Sequence, residues 1–163
     1  MAISFDDVQS FPIPAERVMA MFTDRAYFER KYAELANSFT IQEHRHDEAE
    51  FFIKALIHYD FDAPVPGFAK KILPGELTVT QSDRWDVAQR KGVLEVSISG
   101  APVTMRADMT LVETAQGCEN RMRWTITCGV PLIGGKLEKL IRDDVQSKAP
   151  RDLEVSREIA KEY

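Results

Sequence analysis

The chain has 163 residues, of which 44% are apolar and 29% charged, and a formal net charge of −5. That length suits one domain that buries about 70% of its extended-chain surface without help from a metal or disulfide, and the apolar share argues against disorder. With no basic stripe interleaved with aromatics, nucleic-acid binding has no electrostatic support; no apolar run reaches the roughly 20 residues that cross a bilayer, and residues 1–7 lack the basic start and apolar stretch of a signal peptide, so a cytoplasmic location is expected.

A first strand is predicted over 3–11, with Ile3 and Phe5 on one face. Pro14 suits the first position of a helix in which Val18, Met21 and Phe22 recur at helical spacing. Asp24 is a good N-cap for a second helix carrying Phe28, Tyr32 and Leu35 at i, i+4 and i+7. Strands then dominate. Phe39 and Ile41 alternate with Thr40 and Gln42, and continuing that alternation puts Glu43 and Arg45 inward and His44 and His46 outward. Phe51, Ile53, Ala55, Ile57, Tyr59 and Phe61 share one face of a long strand, with Lys54, His58 and Asp60 on the other.

Asp62-Ala63-Pro64-Val65-Pro66-Gly67 breaks the pattern, and residues 68–73 read as a short helix or an irregular flap closed by Pro74-Gly75. Leu77, Val79, Gln81, Asp83 and Trp85 share the face of the next strand. Leu94, Val96 and Ile98 follow, then Val103, Met105, Ala107, Met109 and Leu111, then Met122, Trp124, Ile126, Cys128 and Val130. Short turns between them favour an antiparallel meander. The last segment carries Leu137, Leu140, Ile141 and Val145 at helical spacing, and Pro150 predicts a kink or break in it. A long helix after a block of strands must lay its apolar stripe on their sheet, because neither buries its face alone.

This order, with the passages SFPIPAERVMAMFTDRAYFERKYAEL, SGAPVTMRADMTL and GVPLIGGKLEKLI, resembles the helix-grip superfamily (START / birch-pollen-allergen-like, SRPBCC). That superfamily includes steroidogenic acute regulatory lipid-transfer domains, birch-pollen-allergen-type proteins and polyketide cyclase-like proteins. Within it the chain looks most like an uncharacterised bacterial domain-of-unknown-function group. The resemblance implies an α+β fold over one domain, residues 1–163: a curved antiparallel sheet of about 6–7 strands, two short helices after the first strand, and a long C-terminal helix on the concave face. Between sheet and helix it implies a cavity for an apolar molecule such as a lipid, sterol or polyketide. It implies no cofactor and no invariant catalytic set. Pro150 inside the terminal helix departs from the pattern.

Ligand sites are concave and mostly apolar with few polar groups. If the apolar face of each strand looks at the helix, the wall draws on Ile57, Tyr59, Val79, Trp85, Val96, Met105, Met109, Met122 and Trp124. Leu137, Leu140 and Ile141 would close it, and Tyr59, Gln81 or Asp83 would orient a polar end. Flexible, polarisable methionines suit a wall that adapts to several shapes. Residues 64–75 are expected to act as a lid. With His44, His46 and His58 all outward, no histidine reaches a reacting atom as general acid–base work requires, so no catalytic residue is assigned. His44 and His46 lack a third metal ligand beyond a guess at Asp60, so no metal is expected.

Gly134-Gly135-Lys136 is not a phosphate loop, which would need Gly in place of Val130 and Ser or Thr in place of Leu137. Cys118 and Cys128, on one strand, would lie roughly 33 Å apart and read as structural thiols. The function expected is binding, transport or sequestration of an apolar or amphipathic small molecule, with no protein partner indicated. One alternative is a cyclase-like or hydrolase-like enzyme using Glu43, Tyr59 or Asp83. The other is an interaction module with a filled core.

Overall fold

Period-two alternation is realised as seven strands: β1 (Ala2–Phe11), β2 (Ser38–His46), β3 (Glu50–Asp60), β4 (Glu76–Asp86), β5 (Lys91–Ile98), β6 (Val103–Thr114) and β7 (Gly117–Cys128). Among the described residues three helices accompany them: α1 (Ala15–Phe22), α2 (Arg25–Leu35) and α3 (Gly134–Ala160). The computed structural model describes residues 2–61, 64–73 and 75–163. The predicted turn residues Asp62, Ala63 and Pro74 lie outside the described residues.

The strands form one antiparallel sheet in the order β1-β7-β6-β5-β4-β3-β2. Every strand from β2 to β7 pairs with its sequence neighbour, as short hairpin connections dictate, and β1 joins the far edge beside β7. The α1–α2 segment therefore carries the chain from one edge of the sheet to the other. Asp24 caps α2 as its sequence indicated, its Oδ1 accepting the Ala26 N–H at 2.9 Å. Pro14 is the residue before α1 rather than its first helical residue, and its carbonyl accepts from Arg17 at 3.1 Å.

This is the helix-grip architecture. The inner face of the curved sheet carries the apolar half of each alternation, and directly opposed residues share a face: Trp85 with Phe51 and Gly92, Val96 with Met105, Met109 with Met122, Phe5 with Trp124. Gly92 is required by its neighbour. A Cβ there would sit 2.7 Å from Cδ2 of Trp85, which is buried and stacked on Phe22 with centroids 5.3 Å apart.

One strand departs from simple alternation. In β2 the register runs Ile41 to Ala55, then Glu43 to Lys54, so Gln42 is an extra residue. A bulge of one residue inverts every later side chain. His44 and His46 therefore pair with Ile53 and Phe51 on the inner side, each ring 5.5 Å from that of Phe51. Arg45 turns outward instead and lies over Phe52 at 4.8 Å, and Glu43, 3.4 Å from it, goes with it. The sequence expectation for these four residues is reversed, because regular alternation carries no mark of the bulge.

The chain enters α3 through a tight turn. β7 ends at Cys128, two residues before the predicted end at Val130, and Leu132 takes a left-handed φ of 69°. Gly134 lies so close to the end of β7 that a Cβ would stand 2.9 Å from the Cys128 carbonyl oxygen. One turn into the helix, Glu138 is fully buried and its Oε2 accepts the Cys128 N–H at 2.9 Å. This bond pins the start of α3 to the sheet. At the other end Val155, Ile159 and Ala160 are buried, and Ser156 bonds the Tyr27 hydroxyl of α2 at 2.8 Å.

Pro150 does not break the helix; α3 continues through it to Ala160. Its missing N–H deprives the Gln146 carbonyl of a helical partner. Packing on both sides of the proline holds the helix despite that loss, as tertiary contacts often override local propensity.

Two stability measurements follow from this packing. Glu138→Ala strands the buried Cys128 N–H and leaves a void, so urea or thermal unfolding is expected to show a loss of about 2 kcal/mol, roughly 4–8 °C in Tm; Glu138→Gln, which keeps an acceptor, loses less. Gly92→Ala forces Trp85 aside at an expected loss of about 1–3 kcal/mol, with a changed tryptophan emission maximum. Unfolding midpoints equal to wild type would contradict these contacts.

Candidate functional site

The helix stripe that faces the sheet runs Leu137, Ile141, Asp144, Lys148, Asp152, Val155 and Ile159, stepping by three or four residues. Its two ends are apolar and meet buried side chains. Its middle is charged, and there the helix stands off from the sheet. The gap is a cavity of about 370 Å³, within the range typical of small-molecule sites. Its sheet wall is Leu77, Val79, Trp85, Leu94, Val96, Met105, Met109, Met122 and Trp124, interrupted by Gln81, Asp83 and Asn120. Phe22, Tyr27, Phe28, Lys31 and Leu35 of α1 and α2 line another side, and Asp144, Val145, Lys148 and Asp152 of α3 another. A neighbouring groove between β1 and α3 shares Asp7, Gln9, Val145 and Ala149 with it.

The polar groups form two sets. Deep inside, the Lys31 ammonium lies 3.6 Å from Asp152 Oδ2 and 5.2, 5.6 and 5.7 Å from the ring centres of Tyr27, Phe28 and Tyr32. Burial works against its charge, but Asp152 and the surrounding tyrosine oxygens outweigh burial and hold its pKa well above the usual lysine value. Asp83, on β4, accepts from Gln81 Nε2 at 3.1 Å. Burial pushes its carboxyl above the ordinary range, against the opposing pull of Lys31 and that hydrogen bond. Asp7, on β1, is raised in the same way by burial, with the Val8 N–H opposing and Asp152 adding to the rise. A chain of amides joins the sheet to this set: Asn120 Nδ2 donates to Gln9 Oε1 at 3.1 Å, and Gln9 Nε2 donates to Asp152 at 3.4 Å.

The second set lies at the end of β3 and β4. Lys148 bonds Asp144 at 2.6 Å and sits over the Tyr59 ring at 5.5 Å. Asn37 donates to Asp60 at 2.9 Å and to Glu76 at 2.8 Å. Burial raises the Tyr59 phenol well above its usual value, so it stays protonated.

Of the residues read from the sequence as ligand-binding, Tyr59, Val79, Gln81, Asp83, Trp85, Val96, Met105, Met109, Met122 and Trp124 line this cavity. Ile57, Leu137, Leu140 and Ile141 do not: Ile57, Leu137 and Ile141 are buried in solid packing, and Leu140 is half-buried against it. The apolar start of α3 is an anchor, and the charged middle faces the hollow. The sequence reading missed Lys31, Asp152, Asp144 and Lys148, and on β1 Asp7 and Gln9. A signal existed for each. The α3 stripe continues at regular spacing through its charged residues, Lys31 falls four residues after Tyr27, and Asp7 and Gln9 continue the face of Ile3 and Phe5.

The other candidates lie elsewhere. His58 is outward as expected, its Nδ1 3.0 Å from the Thr78 hydroxyl. His44 and His46 are exposed and line no part of the cavity. Asp60 is seven residues along β3 from Ile53, the partner of His44, or roughly 23 Å. No group of three His, Cys, Asp or Glu side chains suited to a metal occurs among the described residues. In the described part of 64–75, Ala69 and Leu73 are buried and Phe68 lies under Lys136 of α3 at 5.8 Å, and none of these three lines the cavity. Cys118 and Cys128 are free and buried, and burial aided by Glu113 raises the Cys118 thiol to about 11. No helix among the described residues is long and apolar enough to cross a membrane.

Comparison with known proteins agrees with the fold. The crystal structure of the Zhui aromatase/cyclase from Streptomyces sp. R1128 superposes with a TM-score of 0.69 at 14% identity, covering 99% of this chain and 94% of that one. The crystal structure of Ara h 8.0201 gives 0.65 at 12% identity with 100% of both chains covered. A protein of Thermus thermophilus gives 0.61 at 15% identity, with 98% and 97% covered. At such identities the likeness is one of fold. In sequence, an uncharacterized protein of Mycobacterium tuberculosis (strain H37Rv) is 31% identical over 83 residues, 47% of each protein, so the chain spans about half the length of the curated relatives it matches. The family described as "Protein of unknown function (DUF2505)" matches residues 7–159, and the chain belongs to that family.

Proposed function

We propose that this protein binds an apolar or amphipathic small molecule, such as a lipid, sterol or polyketide, between its sheet and α3, and so carries or sequesters it. The observation that supports this most is the hollow of about 370 Å³ walled by Val79, Leu94, Val96, Met105, Met109 and Met122. Apolar side chains that fill a core interdigitate to crystal-like density; these surround open space instead. Burying a ligand's apolar surface there supplies roughly 25 cal/mol per Å². Tyr59 at one end and Asp83 at the other provide polar contacts, and a cytoplasmic location suits the free thiols Cys118 and Cys128.

A second reading, a cyclase-like or hydrolase-like enzyme, draws on Asp83. A buried carboxyl of raised pKa in a cavity is the kind of group that performs acid–base work. It would show as turnover lost in Asp83→Asn and kept in His58→Ala.

The binding reading is tested with Nile red, an uncharged dye whose emission brightens in apolar surroundings. Wild-type protein is expected to bind it saturably and to transfer energy from Trp85 and Trp124. Val96→Phe, which adds bulk to the hollow, should weaken binding about tenfold or more while the unfolding midpoint stays near wild type. No saturable binding, or equal binding by Val96→Phe, would count against a ligand cavity.

A further inference from the structure

The walls of the hollow carry a charge pattern that restricts what enters it. Asp7, Asp60, Asp83, Asp144 and Asp152 line it, against Lys31, Lys148 and Arg151. Each of those cations is already engaged. Lys31 faces Asp152 at 3.6 Å and is packed among three aromatic rings; Lys148 bonds Asp144 at 2.6 Å. Arg151 turns to Glu154 at 2.9 Å and Glu34 at 3.7 Å. Asp7 and Asp83, by contrast, belong to no ion pair among the described residues. Asp83 is only 5% exposed, and one of its oxygens is occupied, by Gln81.

We infer that the cavity selects amphiphiles by charge: it takes uncharged molecules whose polar end donates a hydrogen bond to Asp83, and rejects anionic ones such as fatty-acid carboxylates. This rests on the ligand-binding reading above and narrows its substrate class. An anionic head group drawn into the hollow loses its hydration and finds no free cation to replace it. It also approaches Asp83 and Asp7, where low polarisability makes repulsion strong. An alcohol brings no charge, keeps the apolar gain of its chain, and can donate to the second Asp83 oxygen. The raised carboxyl ranges of Asp83 and Asp7 fit the same picture, since both carboxyls already sit where negative charge is disfavoured.

The test is displacement of Nile red by 1-dodecanol and by dodecanoate at pH 8, below their aggregation limits. The two share a chain length and differ in the head group. Wild-type protein is expected to prefer the alcohol by about tenfold or more in Kd. Asp83→Asn, which keeps an acceptor and removes the charge, should retain dodecanol binding and narrow that preference to about threefold or less; Asp7→Asn should narrow it by a smaller factor. Circular dichroism confirms that each variant is folded. Dodecanoate binding as tightly as dodecanol in wild type overturns the selectivity and leaves the binding reading standing. So does a preference unchanged in both variants. If dye and alcohol both fail to bind, the binding reading itself falls, and the selectivity with it.

Discussion

The structure depends on how α3 is held. Both ends of this helix are fixed by buried contacts of different kinds: the Glu138 carboxylate on the Cys128 N–H at the start, and Val155, Ile159 and the Ser156–Tyr27 hydrogen bond at the finish. Between these anchors the inward stripe switches from apolar to charged at Asp144, Lys148 and Asp152. Charged side chains cannot be pressed onto the methionine-rich sheet without leaving buried charges unpaired. The helix therefore bridges the concave face, and the ion pairs Lys31–Asp152 and Lys148–Asp144 form under it. The hollow is a consequence of this amphipathic discontinuity.

The same arrangement explains why Pro150 is tolerated. It sits on the exposed side of the bridging stretch, close to the groove it helps to line with Ala149 and Leu153. Strand architecture supplies the rest of the site. The α1–α2 crossing from one sheet edge to the other lays Phe22, Tyr27 and Phe28 against the inner face and brings Lys31 within reach of Asp152. Gly92 lets the Trp85 ring lie flat against β5 and close the deep end near Phe22.

Much of this is legible in the sequence. Period-two alternation marks the strands and their inner faces, and it puts Val79, Val96, Met105, Met109, Met122 and Trp124 on one wall. Two features were not legible for physical reasons. The bulge at Gln42 leaves composition unchanged while inverting His44, Arg45 and His46, because side-chain direction depends on register and not on residue type. The charged middle of α3 carries no hydrophobic signal, because Asp144, Lys148 and Asp152 continue the inward stripe without apolar side chains. Leu137 and Ile141 are apolar and share the inward stripe, which alone points them at the cavity, yet as the best-buried apolar residues at the start of the helix they serve as its anchor.

The central claim is that open apolar space lies between the methionine-bearing strands and the bridging part of α3. Xenon enters dry apolar cavities, so a xenon titration followed by the 13C methyl signals of methionine addresses it directly. The account predicts that Met105, Met109 and Met122 shift together while Met19 and Met21, packed in α1, stay fixed. Shifts absent from all three sheet methionines, or equal in α1, would mean that the interior is filled and that α3 rests on the sheet along its whole length.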